Sequence, residues 1–252
     1  MNEVDTELIH KGRTPPIEDF TSLEEIVFSF KCALTTIVKL RFEKEIVLRF
    51  VDFGPIFLEN PQGKSNEFMR GIIAINDFIA KTDDEKDYNK RKTSCTDIVF
   101  RSIDSLEEKE SFLHDYNDDM ESVFYVLIYL CLLFEKPGKR HIGFFLMKGW
   151  DSETTDPNQL RRIGAEKRHV MTNDSEFKER ILDCLAPYFQ PLRDYLQALR
   201  QFIFAPARSK ENPKSIYDKA HKDREFKEKL KEIERIHDEI TRKLAEGATT
   251  YP

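Results

Sequence analysis

Apolar residues return every three or four positions through Leu23, Ile26, Val27, Phe30, Ala33, Leu34 and Ile37, which is the spacing of one helical face. Ser22 precedes the stripe and Glu25 follows three residues later, the pattern of an N-terminal capping box. Ile37–Phe42 and Ile46–Val51 are short and rich in β-branched and aromatic residues, with Glu43-Lys44-Glu45 between them. They predict a hairpin or two adjacent strands. From Gly54 to Ile79 the periodicity is lost, and Pro55, Pro61 and Gly63 punctuate a loop. The charge run Thr82–Lys92 reads as a solvated loop.

Ser122–Phe134 is apolar on every face and carries no charge, yet it falls short of the roughly 20 residues that cross a bilayer. A helix of that kind is packed all round by protein. It is therefore the expected central helix of the core, opened by Asp118 and stopped by Pro137-Gly138. Helices are also expected over Pro157–Val170, Glu176–Leu185 and Pro191–Phe204. Ser215–Glu246 predicts a long charged helix with a narrow seam of Phe226, Leu230, Ile233, His237, Ile240 and Leu244. The seam is too short to argue a coiled coil, so packing on its own domain is the first expectation. Weak self-association through this helix is the alternative. His237 is expected at the seam's edge with its tip in water. The division is thus a flexible tail over 1–18, a main body over 19–205 and an amphipathic helix over 214–246. The fold class is mainly α with a small β-hairpin element.

Composition narrows the class. Forty Lys and Arg against 46 Asp and Glu leave a net charge of −6, a poor basis for binding a phosphate backbone, so no nucleic-acid partner is expected. Cys32, Cys95, Cys131 and Cys184 have no CxxC spacing, so neither a zinc site nor a disulfide framework can be assembled from them. The first residues, Met-Asn-Glu-Val-Asp-Thr-Glu, lack a basic start and an apolar run, so no signal peptide and no membrane anchoring are expected. Together these features point to cytoplasm or nucleus.

Three pieces carry chemical information through their order: Val51-Asp52-Phe53-Gly54 after a β-prone run, Arg70-Gly71-Ile72-Ile73-Ala74, and Asp118-Asp119-Met120-Glu121-Ser122-Val123 opening the apolar helix. A lone Asp-Phe-Gly is weak evidence, whereas the acidic opening of an apolar helix downstream of it is far more specific. In these pieces the chain resembles the C-terminal lobe of the fungal-type protein kinases and, more distantly, casein-kinase-like enzymes. Asp119 and Glu121 match the family motif that starts a buried helix anchoring the catalytic loop. Asp19–Glu25 resembles the lead-in to the helix before that loop, and Trp150, Lys167 and the helices up to Phe204 resemble the closing segment. The likeness spans roughly residues 19–205 and implies a kinase-like C-terminal lobe without an N-terminal lobe.

Phosphoryl transfer in this family is mostly positioning and charge neutralisation, so its parts can be checked singly. By the resemblance, Asp52 would hold magnesium and Asp52-Phe53-Gly54 would border the nucleotide; here these are vestiges. Only Gly12 precedes Gly54, so no Gly-rich loop stands upstream, and no Val-Ala-Ile-Lys-like strand does either. The catalytic loop reads His-Arg-Asp and then Asn. No histidine lies between His10 and His114, no asparagine between Asn2 and Asn60, and Asp19 is the sole aspartate between residues 6 and 51. General base and second magnesium ligand are both missing. In the activation segment Ile72 replaces the family's threonine, and Ile75-Asn76-Asp77 replaces Phe-Met-Ser or Phe-Met-Ala.

No catalytic residue is therefore assigned. Asp119 and Glu121 are expected to be structural, as caps of the apolar helix, with a cost of about 1 kcal/mol for Asp119→Ala. Gln62-Gly63-Lys64-Ser65 echoes a P-loop, but Leu58 occupies the position of the required first glycine. His114, near Asp115 and Asp118, is expected in a solvated cap rather than a metal site. The sequence thus reads as a truncated, catalytically inactive kinase-like interaction module for protein partners. It needs no cofactor, magnesium and ATP being relevant only if the missing parts are supplied. The alternatives are an incomplete piece of an active Ser/Thr kinase and a helical scaffold acting through its C-terminal helix.

Overall fold

A computed structural model gives the fold and describes residues 16–49, 51, 56, 79–82, 84, 96–107, 112–141, 149, 150, 152–204 and 219–248. Within these the chain is mainly helical, with two small antiparallel strand pairs. Helix α1 spans Leu23–Lys44. Ser22 Oγ accepts from the Glu25 N–H at 3.2 Å, while Glu25 Oε2 reaches back to accept from the Thr21 N–H at 2.7 Å. The box thus closes one residue earlier than the motif implies, and it fixes the direction in which the chain enters the helix.

The segment Ile37–Phe42 is helical throughout, which corrects the expectation of a strand there. Its β-branched residues continue the buried stripe, with Ile37 and Val38 at 1% and 0% exposure, and burial overrides local propensity. Glu45 ends the helix in the left-handed conformation, φ 56° and ψ 37°, with its N–H donating to Leu40 O. Strand β1, Ile46–Leu48, follows at once. Its partner is not Ile37–Phe42 but β2, Ile79–Lys81, in the antiparallel register Ile46↔Lys81, Val47↔Ala80 and Leu48↔Ile79. The Thr82 N–H donates to Glu45 O at 2.8 Å and closes the end of that ladder.

A short helix α2, Ile103–Leu106, precedes the central helix α3, Tyr116–Leu133. Helix α3 is buried all round: Tyr125, Val126, Leu127, Ile128, Leu130 and Cys131 are all at 0% exposure. Its N-cap is Asp115, not Asp118, and Asp118 Oδ2 accepts from the Asp115 N–H at 2.7 Å. Pro137-Gly138 does not stop the helix. The chain turns extended at Phe134 and forms a hairpin of β3, Phe134–Lys136, with β4, Lys139–Arg140. Gly138, at φ 68°, makes its turn.

Helices α4, Pro157–Thr172, and α5, Asp174–Arg180, lead through two 3-10 turns, Leu182–Cys184 and Pro187–Leu192, to α6, Arg193–Phe204. Asp156 caps α4 and Asn173 caps α5, so the expected helix over Glu176–Leu185 ends early. Helix α7, Lys219–Ala248, lies along α1 and also touches α6. Ile233, Ile236, Ile240 and Leu244 are buried in this packing, and His237, at 8% exposure, is drawn in with them rather than left with its tip in water. Lys31 of α1 lies within 4.0 Å of Glu234 and Asp238 and flanks the seam with charge.

The end of the expected tail is held in place. Ile17 is fully buried, its N–H donates to Ile56 O at 3.2 Å, and Phe20 packs on Phe134, Tyr188 and Phe189. Residues 1–15 lie outside the described residues, as do Cys95 and nearly all of the 82–92 run. Of the other cysteines, Cys131 is buried, Cys32 half-buried and Cys184 exposed. No helix among the described residues is long and apolar enough to cross a membrane.

Candidate functional site

The site that the sequence singles out has two halves. Asp52, Phe53 and Gly54 lie outside the described residues, as do Arg70–Ala74 and Gln62–Ser65. The other half, the head of α3, is described in full and is where α1, β1, α2 and α4 converge.

The descent from α1 to β1 sets the geometry. Glu45 is the sole residue between Lys44, the last of the helix, and Ile46, the first of the strand. The strand carries its chain onto the head of α3, where Asp119 Oδ2 accepts from the Leu48 N–H at 2.8 Å. Further along, Thr96 Oγ1 accepts from the Val51 N–H at 3.1 Å and donates to Arg49 O at 3.2 Å, so a side chain substitutes for a neighbouring strand just before Asp52.

Asp119 and Glu121 do not cap the helix; both turn sideways into the core and hold neighbouring elements. Asp119 is 1% exposed, and its Oδ1 lies 2.6 Å from Nε2 of His114, itself 2% exposed. His114 is thus a buried partner of Asp119, not a solvated cap. The expected cost of about 1 kcal/mol for Asp119→Ala is too small, since a buried backbone N–H would be stranded as well. Burial pushes Asp119 up to about 6 against the pull of His114. Burial opposes protonation of His114, but the carboxylates of Asp119, Asp118 and Asp115 outweigh it and raise its pKa. On the outer side Arg41 Nε donates to Asp115 Oδ1 at 3.1 Å and ties α1 to the N-cap.

Glu121 faces the opposite flank. Its Oε1 accepts from the Ile103 N–H, the first of α2, at 2.8 Å and from Tyr125 Oη at 2.6 Å. Burial raises its pKa. Beneath it Lys167 of α4 is fully buried, and its Nζ donates to Ile98 O, Val99 O and Arg101 O at 3.0, 2.9 and 2.8 Å. The ammonium lies 4.1 Å from the ring centre of Tyr125 and 5.2 Å from that of Trp150. Burial pulls the pKa of Lys167 down, while the Glu121 carboxylate pulls it back up. Three acceptors for three N–H groups is the arrangement of the charged amine. Arg168 adds a bidentate pair to Glu107 and a bond to Asp104 Oδ1, each contact at 2.8 Å, so α2 is gripped from both sides.

This arrangement is a set of buried anchors. The acidic and basic side chains at its centre are engaged with backbone groups or with another buried ion. Among the described residues no group of three or more His, Cys, Asp and Glu is placed to hold a metal ion. Sequence reasoning missed the burial of His114 and the carbonyl cup of Lys167. The only signals for them were a histidine five residues before Asp119 and a lysine on the apolar face of α4.

No curated protein matches this chain. The family model described as fungal protein kinase matches residues 1–131, which is just over half of the chain and runs from the N-terminus to near the end of α3. It takes in α1, the strand before Asp52 and the acidic head of the central helix. The chain belongs to the fungal protein kinase family.

Proposed function

We propose that this chain is a catalytically inert member of its family, a pseudokinase lobe that works by binding other proteins. One observation carries the reading: Glu45 alone separates α1 from β1. In the family the His-Arg-Asp…Asn loop lies ahead of Asp-Phe-Gly, so its base and its second magnesium ligand would have to come from this junction. A single residue in the left-handed conformation has no room for either. A nucleotide lobe supplied by another chain would not repair this, because the gap lies inside the C-terminal lobe.

The family's magnesium–nucleotide pair therefore does not fit the residues present. Asp52 alone would bind magnesium weakly, the ion keeping most of its waters. The head of α3 supports the same reading. In the family the acidic start of this helix anchors the catalytic loop; here Asp119 has taken the backbone of β1 instead. The anchoring function is kept and the anchored loop is gone. Such a lobe retains a folded surface and loses its chemistry.

The test is a thermal shift of the full chain with magnesium and ATP, run beside a radiolabelled phosphotransfer assay on generic protein substrates. Anything that binds only the native state raises its stability, so no shift and no transfer are expected. A saturable rise in melting temperature that requires magnesium would overturn the proposal.

A further inference from the structure

We propose that α7 is a detachable strap: the groove between α1 and α6 is a helix-docking site that α7 fills in the resting chain and yields to an amphipathic helix of a partner protein. This deepens the reading of the lobe as a protein-binding module and rests on that part of it, not on the loss of catalysis. The contact has the make-up of a reversible interface. From Lys222 to Gly247 only Ile233, Ile236, His237, Ile240 and Leu244 are buried, and every other residue is half-buried or exposed. His237 sits in the middle of this narrow seam, its ring 6.1 Å from that of Phe28, yet its hydrogen-bonding contact is with Asp238 of its own helix. On the α6 side the packing leaves a cleft lined by Asp194, Tyr195, Ala198, Ile236, Ile240 and Lys243. The ties at the rim are largely exposed ion pairs, Lys31 with Glu234 and Asp238 and Lys243 with Asp194, and pairs of that kind contribute little. One tie reaches further in, where Tyr116 Oη of α3 donates to Glu225 Oε1 at 2.6 Å.

The strap can leave without taking the lobe apart. Arg235 pairs with Glu232 and Glu239, and Arg242 with Glu246, so the helix carries its own i,i+3 and i,i+4 support. Its outer face is charged and needs no cover. Residues 205–218 join α6 to α7, a covalent reach of about 45–50 Å. Once released, α7 stays tethered and competes for the groove at a roughly millimolar effective concentration. The chemistry of the groove defines what it accepts. Ile233, Ile236, Ile240 and Leu244 mark out a helix with large aliphatic residues at i, i+3, i+7 and i+11. Lys31 of α1 selects acidic residues beside that seam, and Asp194 of α6 selects a basic one toward its C-terminal end.

A fluorescein-labelled peptide of residues 219–248 stands in for the partner helix. It is titrated by fluorescence anisotropy against the full chain and against its Ile236→Asp/Ile240→Asp variant, whose own α7 can no longer seat. The variant should keep the thermal unfolding transition of the lobe. It should also bind the peptide saturably and about a hundredfold more tightly than wild type, because the tethered helix no longer competes. No binding to the folded variant, or equal affinity for both proteins, would overturn the strap. Hydrogen exchange of the wild type gives a second reading that needs no variant: amides of α7 should exchange through a smaller opening than those of α3. If the variant does not fold, or if α7 amides are as protected as those of α3, then α7 is a fixed part of the core and the proposal falls. A wild-type dimer at the same concentrations would put α7 of a second copy in the groove and overturn the assignment to a partner protein. None of these readouts involves nucleotide, so the strap and the inert reading can fail separately.

Discussion

Replacing Lys167 with Met tests whether buried charge holds the C-terminal part of this lobe to its centre. The side chain is fully buried, and its three N–H groups meet three carbonyls that lie before and at the approach to α2. Met fills a similar volume without a donor. Three carbonyls then lose their partners, and a stranded buried polar group costs about 1–3 kcal/mol. Glu121 also loses the cation beneath it. Against this, the variant no longer has to desolvate an ammonium, a gain of several kcal/mol that cancels part of the loss. We expect a net loss of about 3 kcal/mol, the lower end of what breaking a buried ionic group costs. With a urea dependence of about 3 kcal/mol per molar, the unfolding midpoint should fall by about 1 M. Trp150, the only tryptophan in the chain, is 1% exposed and lies 5.2 Å from the Lys167 amine. Its fluorescence therefore follows unfolding and reports on the site itself. An unchanged or raised midpoint would refute the reasoning, because it would mean that desolvation outweighs the hydrogen bonds and the cup is a net cost.

Two other substitutions probe the joints around this centre. At Gly164 on α4, an added Cβ would stand 3.0 Å from Glu107 Cγ, 3.1 Å from Leu106 Cβ and 3.3 Å from Ile103 O. Gly164→Ala should therefore destabilise by about 1–3 kcal/mol in thermal melts, although alanine is the better helix former; a stabilised variant would show that α2 can move aside. At Glu45 the reverse holds, since an exposed non-glycine residue sits at φ 56°. Glu45→Gly should stabilise by roughly 0.5–1 kcal/mol in urea unfolding, and a loss of stability would mean that the Glu45 side chain has a role of its own.

The two halves of the sequence differ in how much they disclose. Ser122–Phe134 announces a central helix because an apolar segment with no polar face that is too short to span a bilayer has only the interior of the protein to go to. The counts of histidine, asparagine and glycine ahead of Gly54 are equally firm, since a missing residue type needs no fold to be recognised. The stripe from Leu23 onward located the first helix but not its end, because Ile37 and Val38 suit a strand by local preference and a helix by burial. Seven of its residues fix the buried face; which side of that face the next residues join is settled by what covers them.

The roles of charged residues were the least legible. Asp119 and Glu121 were recognised by motif and misread as caps, since an acidic residue near a helix start looks the same whether it bonds its own helix or a neighbouring strand. Only the tertiary structure put the Leu48 N–H and His114 against Asp119, the Ile103 N–H against Glu121, and three carbonyls against Lys167. The sequence by itself determined the family and the core helix, and it holds the residue counts on which the proposed loss of the catalytic loop rests, because all of these are written in local pattern and residue identity. Partners of β1 and of the buried charges came from contacts between residues far apart in the chain. Such pairings depend on how elements meet in space, and no local window of sequence carries that information.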